Sequence, residues 1–568
     1  MMISRQQSAA QKTSPPSELV LKLLENRGIT KAEDIENFLT PVYDRDIHDP
    51  FLLHDMEKAV TRIIHAIEGN ELIIIYADYD ADGIPGAVIF SDFFKKIGYE
   101  NFAVYIPHRH DEGYGLHDDA VINFIQDKVK LLITVDLGIT AIDEIARAQA
   151  NGMDVIVTDH HEAGEKIPDA LAVVNPKLGN YPDRMLCGAA VAWKVVCAVL
   201  EKMRTSPVFS TTYLKDIPPG WEKWLLDMVG IATLSDMVPL VHENRALASY
   251  GLLVLRKTNR LGLVALLKKM YIQKETLLEE DITFMITPRI NAASRMAHPM
   301  DAFKLLATHD VLEAQMMTVH LVQLNEQRKK LVATTMREVN KKLQDRTLSD
   351  VIVIGSPDWQ AGILGLVAGK ITEEYKRPAF VWSRENGHIK GSCRSYGSCS
   401  VYDMMTQVPD GTFLQYGGHK EAGGFTTTEE NIHDLEKLLL AVHTKDDEET
   451  SSQISYDTEL TLADISYRTY QDIRRLAPFG VANPKPQFLF SGLEIIEVRQ
   501  FGKQHNHIEL TFKQQGATVK AIAFFSGENS FSVLCSVGTI VSCIAHIEEE
   551  TFGRKRSIRL RIVDVISS

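Results

Sequence analysis

The feature that most constrains this chain is a series of short apolar runs, several of which end on acidic or imidazole side chains. The runs at 72–76, 102–106, 131–135, 155–157 and 171–174 are rich in Val, Ile and Leu, and helix-length amphipathic stretches separate them. Runs of this length and spacing read as buried parallel strands in βαβ units. The first leads straight into Asp78-Tyr79-Asp80-Ala81-Asp82-Gly83. The third ends at Asp136-Leu137-Gly138 and the fourth at Asp159-His160-His161. An open α/β sheet binds ligands at the carboxyl ends of its strands. The pattern therefore sends five carboxylates and two imidazoles to one crevice. A single Asp at a strand end is most often a helix N-cap, but capping does not account for three such ends. Crowded carboxylates raise one another's pKa values, and divalent cations remove the conflict. Mixed carboxylate and imidazole ligation suits Mn²⁺, with Mg²⁺ also possible.

The rest of the chain falls into further regions. Residues 50–68 place Leu53, Met56, Val60, Ile63, Ile64 and Ile67 near a 3.6-residue period, which predicts a helix within an N-terminal segment, 1–70. The strand series sits in a region spanning 71–310. From 311 to 346 the sequence is amphipathic without Pro or Gly, and one long helix joining two lobes is expected. A second α/β unit covers 347–446. KDDEETSSQ, at 445–453, is a linker by composition. Closely spaced runs at 493–498, 508–512, 519–525, 540–545 and 558–565 then predict a small antiparallel barrel over 454–568.

Composition narrows the class. With 45% apolar and 24% charged residues, the chain is not disordered, collagenous or of low complexity. Its apolar runs fall far short of the ~20 residues of a membrane span. MMISRQQSAAQKTSPPSE has no apolar core of a signal peptide, so a cytoplasmic location is expected. None of the six cysteines forms a Cys-x-x-Cys pair, which argues against a zinc ribbon or a thioredoxin-type site. The net charge of −14 argues against a surface coated in positive charge for nonspecific DNA binding. The charge is uneven, however. Residues 455–568 carry 13 basic and 12 acidic side chains, and the remainder 48 and 63.

DYDADG (78–83), VDLGI (135–139) and TDHHE (158–162) form the motif series of the DHH phosphoesterase superfamily. The chain resembles the RecJ single-stranded-DNA exonucleases over nearly its whole length. The resemblance is carried by FLTPVYDRDIHDP (38–50), YIPHRHDEGYGL (105–116), LCGAAVAWK (186–194), IATLSDMVPL (231–240), TPRINAASRM (287–296), ILGLVAGKI (363–371), KGSCRS (390–395), YGGHKEAGGF (416–425) and LAPFGVANPKP (476–486). It implies a DHH-type parallel-sheet domain, a smaller DHHA1-type α/β domain and a C-terminal OB-fold barrel. It further implies that Asp80, Asp82, Asp136, His160 and Asp236 ligate two metal ions, and that Asp78 and Asp159 orient ligands and water. His161 would donate to a phosphate oxygen or to the leaving group. Asp236 also follows an apolar run, 231–234, as a further carboxylate, although by itself it reads as well as a helix cap or turn residue. In the second lobe, Ser392, Arg394 and His419 match contacts to substrate phosphate, and Arg109 and Arg289 are similar candidates. An Arg fork fits phosphate oxygens bidentately, and loop N–H groups add donors. In the barrel, Arg559 and Arg561 share one face of the last strand, with Arg554, Lys555 and Arg556 just before it. Phe501, Phe512 and Phe524 are candidates for base stacking, although each also reads as core.

The activity so implied is a metal-dependent 5′→3′ exonuclease that degrades single-stranded DNA to nucleoside 5′-monophosphates in repair and recombination. It would act as a monomer, with a helicase and a single-strand-binding protein as further partners. The alternatives are a short-oligonucleotide or cyclic-dinucleotide phosphodiesterase and a catalytically silent DNA-binding scaffold. The barrel argues against the first and the intact Asp and His series against the second. Four positions depart from the family pattern: Pro85, Ser294, Gln360 and Cys393.

Overall fold

The structure is a computed structural model that describes residues 15–344, 346–385, 387–443, 455–502, 507–527, 530–550 and 556–568. The linker at 445–453, and Arg554 and Lys555, lie outside these residues. All five apolar runs are strands: β1 (Ile73–Ala77), β2 (Phe102–Tyr105), β3 (Leu131–Val135), β4 (Asp154–Thr158) and β5 (Ala172–Val174). They pair in parallel in the order β2-β1-β3-β4-β5. Side chains alternate across a strand. Ile73, Ile75 and Ala77 therefore enter one core and Ile74 and Tyr76 the other. Both faces are covered, which explains the continuous apolar runs. On the first side lie α1 (Gly83–Lys96), α2 (Gly188–Thr205) and α3 (Leu226–Ser235), through Phe90, Phe93, Trp193, Val196 and Ile231. Thr287–Met296 is α4.

The long helix α5 (Val311–Gln344) has 34 residues and spans about 50 Å. Its first half buries Leu321 and Leu324 in the core of the parallel sheet. Its second half buries Val332, Met336, Val339 and Leu343 in the second lobe. That lobe holds β6 (Ile352–Gly355), α6 (Leu364–Tyr375), β7 (Ala379–Glu385), β8 (His388–Arg394), β9 (Gln415–Gly418) and β10 (Ala422–Thr427). Its sheet order is β6-β7-β8-β10-β9, with β6–β7 parallel and the other pairs antiparallel.

The C-terminal unit adds the short β11 (Thr458–Glu459) to a five-strand barrel of β12 (Phe488–Phe501), β13 (His507–Gln514), β14 (Ala517–Phe524), β15 (Ile540–Glu550) and β16 (Ser557–Ser567). The β12–β15 pairing closes it. Two contacts differ from the antiparallel expectation: β14 and β16 within the barrel, and β11 and β12 beside it, are parallel. The crossing lies between β14 and β15, which are not neighbours in the sheet, whereas β16 pairs antiparallel with β15 and so comes to lie beside β14.

Within the N-terminal segment, residues 15–70 divide between two cores. The helix Glu18–Asn26 sends Val20, Leu23 and Leu24 into the barrel unit beside Leu462, Ile473 and Phe488. The helix Met56–Glu68 sends Met56, Val60, Ile63 and Ile67 into the parallel-sheet core. Among the described residues, no helix is long and apolar enough to cross a membrane.

Candidate metal centre and phosphate cleft

Because β1, β3 and β4 are neighbours, their loops place Asp78–Asp82, Asp136 and Asp159–His161 along one edge. Close approaches fix these loops. A Cβ at position 83 would lie 2.5 Å from the Asp78 carbonyl oxygen, and one at 188 would lie 2.6 Å from Asp136 Oδ1. Only glycine lets α1 and α2 start this near the carboxylates. Asp136 has φ +62°, a conformation uncommon for residues with a Cβ and concentrated at functional sites. Asp82 accepts hydrogen bonds from Gly188 N (2.6 Å) and Ala189 N (2.7 Å), so the N-terminus of α2 holds it. Asp80 Oδ1 accepts from Asp82 N at 2.8 Å. Asp236 comes from outside the sheet, at the C-terminal end of α3.

Three sets of side chains bring ligand-type atoms within 4.8 Å of one another: Asp82, His160 and Asp236; Asp78, Asp80 and Asp136; and Asp136, His160 and His161. Asp136 and His160 each belong to two sets. His160 Nε2 stands 3.2 Å from Asp136 Oδ1 and 3.7 Å from both Asp82 Oδ2 and Asp236 Oδ2. Yet, among the described residues, His160 Nε2, Asp136 Oδ1 and Asp78 Oδ1 are buried without a hydrogen-bond partner. Such an atom costs about 1–3 kcal/mol if nothing satisfies it. Oxygen and nitrogen acceptors that converge without bonding one another fit a bound cation.

The electrostatics agree. Burial, then Asp80, raises Asp82 to about 7. Burial, then Asp82 and Asp80, raises Asp236 to about 8. Burial and the adjoining carboxylates push Asp78 and Asp136 well above the usual range. Burial, helped by His161, lowers His160 to about 3 and keeps it neutral, the form that ligates metals. Asp159 behaves differently. Burial pushes it up, but bonds from His161 Nδ1 (2.8 Å), Ile139 N (2.9 Å) and His161 N (3.1 Å) hold it below the usual range. Burial disfavours charge on His161, but the Asp159 bond and the nearby carboxylates outweigh it and raise His161 to about 9. Asp78, expected to orient ligands, thus stands among the converging atoms, whereas Asp159 spends its oxygens on His161 and the loop.

The facing wall is basic. The His419 ring, between β9 and β10, lies nearly parallel to His161 at 6.4 Å. Ser392 and Arg394 end β8 beside the first turn of α6, where a Cβ at Gly365 would lie 3.1 Å from Ser392 Oγ and 3.2 Å from Arg394 Nη2. The Arg109 guanidinium sits 4.8 Å above the Tyr79 ring. Between them is Arg295, which the sequence reading passed over. Burial, then Arg109, Arg328 and Arg394, lowers its pKa to about 9. Its Nη1 donates to Gly362 O across the lobe boundary at 3.1 Å, and its Nε has no partner. Among the described residues, no carboxylate forms an ion pair with Arg109, Arg295, Arg328 or Arg394. Arg289 donates to Met285 O and has Glu326 and Arg328 of α5 near it, and among the described residues its Nε has no partner. Tyr114, also missed, is half exposed at the mouth with its hydroxyl 3.4 Å from His161 Nδ1.

In the barrel, Arg561 is exposed with its guanidinium 4.9 Å above the Phe524 ring. Arg559 lies 6.0 Å from that ring and pairs with Glu550 at 3.4 Å. Phe512 is fully buried and belongs to the core, so it is no stacking platform. Phe501 and Phe524 are half-buried neighbours, 6.5 Å apart. Of the four departures, Ser294 and Cys393 are buried, Pro85 stands in the first turn of α1, and Gln360 lines a cavity between the lobes.

A parallel sheet with an Asp/His cluster at its strand ends, facing a smaller α/β lobe, defines a DHH-type phosphoesterase. The sequence matches the DHH family N-terminal domain over 72–217, the DHHA1 domain over 348–444 and the RecJ OB domain over 456–564. It is 33% identical over 557 residues to the single-stranded-DNA-specific exonuclease RecJ of Bacillus subtilis, covering 97% of this chain and 68% of that one. It is 31% identical over 514 residues to that of Haemophilus influenzae, covering 87% and 88%. The crystal structure of RecJ from Thermus thermophilus in complex with Mn²⁺ matches with a TM-score of 0.80 at 26% identity, covering 99% of this chain and 78% of that one. This chain belongs to the RecJ family.

Proposed function

We propose that the chain is a metal-dependent exonuclease that degrades single-stranded DNA from its 5′ end and releases nucleoside 5′-monophosphates. The observation that carries this is one cleft with an unpaired acidic cluster on one wall and an unpaired arginine cluster on the other. Asp82, His160 and Asp236 would hold one divalent ion, and Asp78, Asp80 and Asp136 a second, with Mn²⁺ preferred and Mg²⁺ accepted. Bound there, the metals supply water activation and charge stabilisation at the scissile phosphate. Asp159 fixes Nδ1 of His161, which leaves Nε2 free to donate to a phosphate or leaving oxygen. Arg109, Ser392, Arg394 and the first turn of α6 take the terminal 5′-phosphate, which distinguishes an end from an internal position. His419 supports the same strand from the second lobe. Arg561, Arg559 and Phe524 hold the strand further along. DNA repair and recombination in the cytoplasm, with the protein a monomer beside a helicase and a single-strand-binding protein, is the setting we infer.

The test is digestion of end-labelled single- and double-stranded DNA with Mn²⁺, Mg²⁺ or EDTA. Mononucleotide release from 5′-labelled single strands, stopped by EDTA, is expected. Release from the 3′ end first, or activity in EDTA, would overturn the reading. A short-oligonucleotide phosphodiesterase is the second reading. The barrel, docked on the catalytic domain through the Arg474–Glu279 pair, speaks against it.

A further inference from the structure

The motif LAPFGVANPKP, 476–486, contributes no side chain to the acidic cluster or to the arginine wall. Its backbone nevertheless bonds the loop that follows Asp236. Asp236 is the cluster carboxylate that the sheet does not supply. Its side chain is 26% exposed, against 1% for Asp82 and 4% for Asp136. After it the chain turns through Met237 at φ +58° and then Pro239. The far end of this turn is tied to the barrel unit: Leu240 N donates to Val481 O at 2.8 Å. Leu240 is buried against Gly480, where a Cβ would lie 2.7 Å from Leu240 Cδ1.

The segment that holds Leu240 is itself locked. Asn483 is fully buried, and its Nδ2 donates to Leu476 O and Pro478 O, both at 2.8 Å. Its Oδ1 accepts from Arg27 Nε at 2.9 Å. Gly480 and Asn483 exchange backbone bonds of 2.9 and 3.1 Å. Arg474 grips Glu279 with two bonds of 2.7 and 3.0 Å, and Arg245 Nη2 donates to Ala477 O at 2.9 Å. A rigid turn from the barrel unit thus presses on the loop that carries a metal-site carboxylate.

We propose that 476–486 is a positioning element for the metal centre. By holding Leu240 it fixes the turn at 236–240, and with it the place of Asp236 against Asp82 and His160. The barrel unit then contributes to the chemical step as well as to strand binding. This rests on reading Asp236 as a metal ligand.

The test uses full-length Gly480→Val, with Asp236→Asn as reference. Gly480 is not in the left-handed region, so its backbone accepts a side chain, but Leu240 must move. Mn²⁺ binding is measured by calorimetry without DNA, and single-strand binding and unfolding temperature are measured in EDTA. Residues that orient ligands typically alter metal affinity about 10–100-fold. Gly480→Val should therefore weaken Mn²⁺ binding at least about tenfold, with single-strand affinity in EDTA unchanged. Adding Leu240→Ala, which restores room, should recover part of the loss. If Asp236→Asn loses Mn²⁺ affinity and Gly480→Val does not, the positioning proposal falls and the metal reading stands. If Asp236→Asn keeps full affinity, the ligand reading fails first. Should Gly480→Val unfold early in EDTA, Gly480→Ala, which adds the Cβ alone, carries the same comparison.

Discussion

On one wall of the cleft, Asp78, Asp136 and His160 hold buried polar atoms with no hydrogen-bond partner. On the other, Arg295 does, with Arg109 and Arg394 near it and, among the described residues, no ion pair between them and a carboxylate. Either wall alone is unfavourable, since a buried charge without a partner destabilises a fold strongly. A ligand that is anionic toward the arginines and bridged by cations toward the carboxylates satisfies both. The walls differ in how they are built. Adjacent strand ends of one sheet and α3 make the acidic wall, so a single domain fixes it. The basic wall takes Arg109 and Arg295 from the first lobe and Arg394 from the second, so it exists only while the lobes stay docked.

The comparison breaks if the acidic wall proves structural instead of ligand-binding. Asp136→Ala should give the largest effect: hydrolysis below a tenth of wild type, more than about 1.4 kcal/mol of barrier, in a saturating Mn²⁺ assay. Asp136→Asn in EDTA should unfold no earlier than wild type, because it relieves repulsion among buried carboxylates. Earlier unfolding would mark the carboxylate as a structural partner.

On the basic wall, Arg394→Ala should slow 5′-phosphorylated strands roughly tenfold to a hundredfold relative to 5′-hydroxyl strands. One lost charge-assisted contact is worth on the order of 1.5–3 kcal/mol. An unchanged ratio of kcat/KM would remove Arg394 from the end site. Arg295→Gln should act more weakly, as a charge without direct contact: roughly 1 kcal/mol, about fivefold, for a separation of about 8 Å at an effective dielectric near 40. The loss should appear in KM for the phosphorylated strand. Equal slowing of both end chemistries would reduce Arg295 to a strut between the lobes. The smallest change is expected outside the cleft. Arg561→Ala should shrink the salt slope of long-strand binding by roughly 0.7 and leave turnover of a saturating short strand alone. A slower short-strand reaction would place Arg561 nearer the chemistry than the barrel puts it.

The acidic wall was legible because its residues sit directly at strand ends, and a parallel sheet aligns those ends whatever the packing around it. Asp236 was not legible in that way. It follows the apolar run 231–234 as a further carboxylate, but it reads equally as a cap or turn residue, and it reaches the cluster through the packing of α3. Arg295 shows a different limit. It follows Arg289 by six residues on α4, roughly 120° around the helix axis; both lie near Arg328 of α5, but only Arg295 also lies near Arg109 and Arg394. Which of the two faces the second lobe depends on how α4 is rotated when it packs, and no local pattern encodes that rotation. The division of 15–70 between two cores had no local sign either, since the partner of Glu18–Asn26 lies more than 400 positions later in the chain.

That helix also sets a timetable. Arg27, just beyond it, bonds Asn483, 456 positions later. At synthesis rates of about 5–20 residues per second, roughly 20 to 90 seconds separate the two at the ribosome. Throughout that interval Val20, Leu23 and Leu24 have no apolar surface to cover them. The barrel unit is consequently the last part of the molecule able to complete its interior, while the parallel sheet can close around a finished N-terminal portion much earlier. Protease cleavage of stalled nascent chains should find the first helix exposed until the barrel strands have emerged.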